Sequence, residues 1–192
     1  MFTQIKTTAI AAAAVLSFTG MAHSASYTID LSHSFIKFET VHLGIAKLSG
    51  RFNKFDGKLF YDPKADASAQ NVTINIDASS LDTNWAARDK HLRSADFFDV
   101  DKYKTATFQS TGYEGDADGG KLKGNLTFLG VTKEIEFPIK KLGEGKDPWG
   151  GYRVGFEGNY TMTRKDFGMD YNLGPSAEKV DITLQIEAIK DK

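Results

Sequence analysis

Three histidines are the residues of this sequence best suited to bind a metal. The chain has four histidines and no cysteine, and only His33, His42 and His91 lie beyond the first 24 residues. His33 and His42 are nine positions apart, so on one strand they face opposite sides and lie about 30 Å apart. They cannot share one ion unless the chain reverses between them. We therefore predict no metal site.

Two glutamates have a spacing that acid–base catalysis uses. Glu134 and Glu136 share one face of a predicted strand, near the separation of the two carboxylates in a retaining glycosidase. Ile135 and Phe137 mark the dry face, so both carboxylates face water. The sequence also lacks a nucleophile elbow, a P-loop and a dinucleotide fingerprint. We predict no catalytic residues. The alternative, an enzyme acting on a lipid-like or saccharide substrate, requires ionisable groups that point inwards.

The charge of the chain argues against a nucleic-acid partner. The sequence has 24 basic and 25 acidic residues, which gives a formal net charge of −1. This near balance lacks the basic footprint that nucleic-acid binding requires. Because there is no cysteine, the fold has no disulfides and depends on its hydrophobic core.

The N-terminal segment has the pattern of a secretory signal peptide. Lys6 is the only charge in the first 29 residues, and the apolar stretch from Thr7 to Phe18 follows it. That stretch is shorter than the roughly 20 apolar residues of a membrane-spanning helix. Ala22 and Ser24 are small residues at the spacing that signal peptidase accepts. We predict a cleaved signal peptide over residues 1–24 and one exported, soluble domain over residues 25–192 that does not span a membrane.

The rest of the chain alternates apolar and polar residues with a period of two. This pattern is clear around Ile74, around Phe137 and from Val180 to Ala188, and Asp-Gly and Gly-Gly pairs separate such segments. It predicts strands with one wet and one dry face. About eight such strands indicate an all-β fold, a closed antiparallel barrel. An outer-membrane barrel with its dry face towards lipid is the alternative. The charged C-terminus and an inserted helix argue against it.

The inserted helix is predicted near residues 85–98, where the sequence reads WAARDKHLRSADFF. Trp85, Leu92 and Ala95 fall on one side of this helix. We therefore expect this side to pack against one end of the barrel.

The barrel interior is rich in aromatic rings. Twelve of the fourteen phenylalanines lie beyond the predicted signal peptide. An eight-stranded barrel is either filled by its side chains or holds one elongated ligand. Glycines at 124, 155 and 158 alternate with the bulky rings and favour a cavity. A filled barrel that acts through protein partners, for example as a stress protein, remains open.

Several motifs resemble those of the YceI-like family. They are Asp30 to Ser34, followed by Phe38 and His42-Leu43-Gly44, then Arg88 to Phe98, Ala106-Thr107-Phe108, Gly130 to Lys133 and Asp147 to Gly151. The resemblance covers essentially the whole chain after the signal peptide. It implies a periplasmic, lipocalin-like barrel with a long apolar cavity. It also implies association with polyisoprenoids, a role in stress for some members, and no catalytic residue set.

On this basis we predict a periplasmic carrier or storage protein for a long-chain isoprenoid lipid. No cofactor other than this lipid is expected, and a homodimer stays open. The predicted cavity wall consists of Phe38, Phe108, Leu126, Phe128, Ile135, Phe137, Phe156, Tyr160 and Leu184. Three residues of the inserted helix, Arg88, His91 and Arg93, are the predicted contacts of the lipid head group. The alternative is that Arg88, Asp89 and Arg93 pair with one another and hold the helix in place.

Overall fold

The structure is a computed structural model that describes residues 25–62 and 71–192. The predicted signal peptide lies outside these residues and stays a prediction. The described residues form eleven strands and one α-helix, in chain order: β1 Ala25–Ile29, β2 Phe35–His42, β3 Ala46–Phe52, β4 Phe55–Tyr61, β5 Asn71–Asp77, β6 Leu81–Asp82, α1 Ala86–Leu92, β7 Thr105–Gly115, β8 Gly119–Phe128, β9 Val131–Lys146, β10 Tyr152–Thr163 and β11 Lys179–Lys190.

Eight antiparallel strands close the barrel, as the sequence predicts. Their order around the barrel is β1, β4, β5, β7, β8, β9, β10 and β11, and β11 pairs with β1 to complete the circle. The strands β2, β3 and β6 extend this wall, because β2 pairs with the first half of β11 and β3 pairs with β2. The strands β1 and β2 therefore act as one bent strand that runs along β11.

The bend between β1 and β2 is stabilised by Ser34. A short 3-10 turn, Leu31–His33, interrupts the pairing with β11 at this point. The Ser34 hydroxyl accepts a hydrogen bond from the backbone N of Glu187 (2.9 Å) and donates to its carbonyl (3.1 Å). Because Ser34 is buried, its hydroxyl supplies the partner that the backbone N of Glu187 would otherwise lack.

The apolar face of the strands points into the barrel. In β4 every second residue is buried, from Phe55 to Tyr61, and the residues between them are exposed. Glu134 and Glu136 on β9 are exposed, as predicted, while Phe137 is buried. The outward-facing orientation of an outer-membrane barrel is therefore wrong for this fold. No helix within residues 25–62 and 71–192 is long and apolar enough to span a membrane.

The two ends of the barrel differ. The helix end, as we call it, carries α1, the β2–β3 and β8–β9 turns and the connection 164–178. The opposite turn end carries the β7–β8 and β9–β10 turns.

The helix is shorter than predicted. It ends at Leu92, and the chain then turns, with Asp99 at a positive φ of 41°. The backbone N of Phe98 returns to the carbonyl of Leu92 (2.9 Å). Two neighbouring residues on a helix cannot share a face, but this turn allows Phe97 and Phe98 both to reach the interior. The predicted packing face is also wrong in part, because Trp85 is 61% exposed and Ala95 is exposed as well, whereas Leu92 lines the interior.

Candidate functional site

The larger cavity of the barrel lies towards the helix end and has a volume of about 150 Å³. Most of its wall is aliphatic or aromatic. Among the described residues its only polar lining side chains are Thr40, Tyr160 and Arg164. The Thr40 hydroxyl already donates to the carbonyl of Lys179 (2.9 Å). We call this space the helix-end cavity.

A second cavity of about 90 Å³ lies towards the turn end, and we call it the turn-end cavity. Its lining is mainly apolar but includes Asn71, Asp116 and Glu157. The two cavities share four lining residues, which form a constriction at the middle of the barrel: Ile74, Phe108, Phe137 and Leu184. The ring centroids of Phe108 and Phe137 are 5.5 Å apart there.

All nine predicted wall residues line these cavities. The helix-end cavity alone is lined by Phe38, Leu126, Phe128, Ile135 and Tyr160, both cavities by Phe108, Phe137 and Leu184, and the turn-end cavity by Phe156. Their contact with a lipid stays a prediction.

The glycines of the interior mostly do not leave the gaps that the sequence analysis expects. A Cβ on Gly124 would lie 2.5 Å from the ring of Phe108, so that ring already fills the gap that the glycine leaves. Gly50 gives the ring of Phe38 the same room, with a distance of 2.3 Å. Gly155 lies at a bulge between β9 and β10, and Gly158 alone of the three predicted glycines lines a cavity.

The three predicted head-group residues do not line either cavity. Arg88 donates to the hydroxyl and the carbonyl of Thr83 (2.7 and 2.6 Å), and Arg93 donates to the carbonyls of Ser79 and Leu81. His91 contacts Asp96 on the exposed side of the helix.

From the sequence, Arg88, Asp89 and Arg93 are expected to pair with one another, but the structure joins them in a different way. The backbone N of Thr83 (2.9 Å) and its hydroxyl both donate to Asp89, which is buried. Arg88 therefore reaches Asp89 only through Thr83. These bonds join the helix to the end of β6 and hold it over the barrel end.

Arg164 is the charged residue of the cavity that sequence reasoning missed. It follows β10 directly, in a 3-10 turn that spans Arg164–Phe167, and is only 5% exposed. Its Nε donates to the carbonyl of Ala177 (2.7 Å), and its Nη1 donates to the carbonyls of Tyr171 (3.1 Å) and Met169 (3.4 Å). Burial lowers the pKa of its guanidinium. Arg164 continues the inward series of Tyr160 and Met162, which is the signal that could have found it.

Tyr160 also lines the helix-end cavity. Burial raises the pKa of its phenol above the ordinary value. The neutral hydroxyl is therefore the form present at physiological pH, and it can donate one hydrogen bond.

Asp30, His33 and Glu187 lie together on the outer surface. One ligand atom of each lies within 4.8 Å of the others, which is compatible with metal binding. However, Nη1 of Arg153 donates to Asp30 (2.7 Å) and also to Glu187. The guanidinium thus already occupies the two carboxylates that a metal would need.

Arg153 also organises the β9–β10 turn, because its Nε donates to Asp147 (2.9 Å). This bond lowers the pKa of the Asp147 carboxyl. Burial raises the pKa of Asp30, but hydrogen bonds from Ser32, Arg153 and His33 outweigh it and hold that pKa well below its usual range. These contacts tie β1, β10 and β11 together.

The fold and the site define a class of protein: a closed antiparallel barrel with a narrow apolar interior. The YceI-like domain family matches residues 27–188. The chain is 48% identical over 184 residues to a UPF0312 protein of Pseudomonas paraeruginosa. The aligned region covers 95% of this chain and 96% of that relative. The chain therefore belongs to the YceI-like family, which confirms the resemblance.

Solved structures share the fold. A Campylobacter jejuni YceI protein is 28% identical with a TM-score of 0.71, over 79% of this chain and 90% of that one. A polyisoprenoid binding domain from Saccharophagus degradans, described as implicated in plant cell wall breakdown, has a TM-score of 0.66 over 87% of this chain and 99% of that one. Its identity is 17%, so this likeness shows the fold alone.

Proposed function

We propose that this protein binds a long-chain isoprenoid lipid inside its barrel. The observation that carries the proposal is the apolar lining that continues from the helix-end cavity through the constriction into the turn-end cavity. Burying one methylene gains about 0.8 kcal/mol, so a five-carbon unit gains about 4 kcal/mol before ordering costs. Such an interior needs no charge complementarity to hold a tail.

The choice of an isoprenoid is supported by the shared fold. The Saccharophagus degradans protein with this fold is described as a polyisoprenoid binding domain. A prenyl chain is apolar along its length and branched, and it suits a wall of rings and branched aliphatic side chains such as Phe108, Ile135 and Leu184.

A long tail has to widen the interior. A cavity of about 150 Å³ takes a benzene-sized group as it stands. A chain of several isoprene units therefore needs both cavities, joined through the constriction. The rings of Phe108 and Phe137 stand at that point, and we propose that they move apart when the tail passes.

We propose a binding protein and not an enzyme. In the described part of the chain, Arg164 is the only charged residue that lines the helix-end cavity. It forms no ion pair there, so the cavity offers no carboxylate to act with it in acid–base catalysis. The polar groups of the turn-end cavity, Asp116 and Glu157, lie beyond the constriction.

The site of action that we propose is the periplasm, where the protein carries or stores the lipid, including under stress. The support is the N-terminal sequence, with Lys6, the apolar stretch and the small residues before Ala25. Osmotic shock of a Gram-negative host that expresses the full chain should release the shortened protein without detergent. Recovery of the uncleaved chain in the cytoplasm or the membrane would contradict this location.

The lipid itself is tested by purification without detergent, solvent extraction and mass spectrometry. We expect a prenyl lipid at close to one per protein. The matched control is Ala106→Phe, because Ala106 lines the helix-end cavity and is buried. An added ring there should displace the lipid while the barrel still folds. If wild-type protein yields no lipid and binds no added polyprenol, the proposal is wrong.

A further inference from the structure

Arg164 has one guanidinium nitrogen without a partner. The nitrogens Nε and Nη1 donate to three backbone carbonyls, and no hydrogen bond to a described residue involves Nη2. Within residues 25–62 and 71–192, no enclosed side-chain nitrogen or oxygen lacks a partner. Nη2 therefore borders open space and is not sealed in the protein.

Arg164 lies between the interior of the barrel and the surface. Arg164 and Leu173 line both the helix-end cavity and an outer recess of about 210 Å³. The recess is polar, with Lys165, Asp170 and Glu178 in its lining. Arg164 thus lies between the apolar cavity and a polar recess of the surface, the boundary at which the head of an amphiphile would lie.

Arg164 forms no direct ion pair with any described carboxylate, although Glu178 and Asp170 favour its charged form from a distance. It is the only buried basic side chain among the described residues. Burying an unpaired guanidinium is costly, and a clamp on three carbonyls requires donors but not a charge. The arrangement therefore suits a site completed by an anion.

We infer that Arg164 is the head-group anchor of the lipid site, and that its Nη2 donates to an anionic head, a prenyl phosphate, while the tail lies in the helix-end cavity. This inference rests on the proposed function and adds the head group and the direction of the lipid. The head lies at the helix end, and the tail points to the constriction between Phe108 and Phe137.

The test compares three probes with the same geranylgeranyl tail. Geranylgeranyl phosphate carries an anionic head, geranylgeraniol a neutral hydroxyl, and menaquinone-4 a neutral head with carbonyl oxygens. Affinities are measured by quenching of protein fluorescence for the wild type, Arg164→Met, Arg164→Lys and Arg93→Met. Arg93 is the matched control, since it also lies at the helix end and binds two carbonyls but lines no cavity.

In the wild type and in Arg93→Met, the phosphate should bind about 10- to 100-fold more tightly than the alcohol, the equivalent of one charged hydrogen bond. In Arg164→Met this preference should fall to about twofold or less, with the affinity for geranylgeraniol retained. Arg164→Lys should keep part of the preference, because it keeps the charge but loses the planar donor geometry.

The measurements distinguish failure of the anchor from failure of the proposed function. If the wild type binds none of the probes, the proposed function fails, and the anchor with it. If all three bind equally, or if Arg164→Met keeps the preference for phosphate, only the anchor is wrong. A wild-type preference for menaquinone-4 overturns the anionic head.

A structure of the wild type with geranylgeranyl phosphate decides the question if Arg164→Met does not fold. The anchor requires a phosphate oxygen within hydrogen-bond distance of Nη2, about 2.7–3.0 Å. A phosphate at the turn end, or away from Arg164, overturns it.

Discussion

An arginine lies near each end of strand β10, and the two arginines have opposite surroundings. Arg153, at the turn end, binds three carboxylates, those of Asp30, Asp147 and Glu187. Arg164, at the helix end, binds three carbonyls and no carboxylate. Arg153 is partly exposed, whereas Arg164 is buried.

The difference distinguishes two roles. An arginine whose charge is paired with carboxylates stabilises the fold, whereas one without an ion pair can bind a ligand. The contacts of Arg153 raise the pKa of its guanidinium and hold three strands together, so its charge is already satisfied. The contacts of Arg164 position the side chain but leave its charge unpaired. The cavities follow the same division, since the apolar helix-end cavity adjoins Arg164 and the more polar turn-end cavity does not.

The largest expected effect comes from a charge in the helix-end cavity. Phe128 is buried, and its ring packs 5.5 Å from that of Phe98 and 5.8 Å from that of Phe167. In Phe128→Asp an unpaired carboxylate should cost several kcal/mol, so the protein should fail to fold or lose its lipid. Phe128→Leu is the control and should keep both. Circular dichroism melting and lipid extraction measure the outcome, and wild-type behaviour of Phe128→Asp would contradict it.

Two added rings test the division between the cavities. Ala106→Phe fills the helix-end cavity, and Val72→Phe fills the turn-end cavity. Each should cost about 1–3 kcal/mol through overpacking. We expect Ala106→Phe to abolish binding of all prenyl alcohols. Val72→Phe should keep geraniol and farnesol but weaken longer chains, because only the tail tip reaches that end. Equal losses at every chain length in Val72→Phe would argue against this direction.

The sequence predicts the barrel and its wall because both follow from alternation. On β9, for example, the positions of Ile135 and Phe137 decide which face is dry, and both residues line a cavity. Arg164 extends the inward series of Tyr160 and Met162 by one step, but a search for alternating apolar residues overlooks a charged residue at such a position. The end of α1 was missed for a related reason, because tertiary contacts of Phe97 and Phe98 override the helical pattern.

The third prediction is that the stability effect of Arg153 is separate from lipid binding. Arg153→Gln removes charged hydrogen bonds at a partly exposed site and should cost about 1–2 kcal/mol in urea unfolding. The preference for geranylgeranyl phosphate should stay unchanged. Arg51→Gln is a control, because its one ion pair is exposed and long, at 3.9 Å. A lost phosphate preference in Arg153→Gln would place the head group at the turn end.

The smallest effect concerns Asp191, which also joins strands at the turn end. Its carboxylate accepts hydrogen bonds from the hydroxyls of Ser26 and Thr28 (2.6 Å each) and from Lys58 (3.0 Å). These bonds, with that of Ser26 the largest cause, lower the pKa of Asp191 from 3.8 to about 2. A lowered pKa stabilises the fold above the ordinary value, and this contribution is lost as the pH falls through the folded value.

Asp191→Asn should therefore be less stable than the wild type by a constant amount at neutral pH. The difference should shrink as the pH falls from 3.8 towards 2. Urea unfolding over this range measures the difference, and carbon NMR titration of Asp191 gives its pKa directly. Ser26→Ala should move the titration of Asp191 to higher pH, because it removes the strongest donor. A wild-type titration at the ordinary value of 3.8 would show that these bonds do not hold the carboxylate in solution.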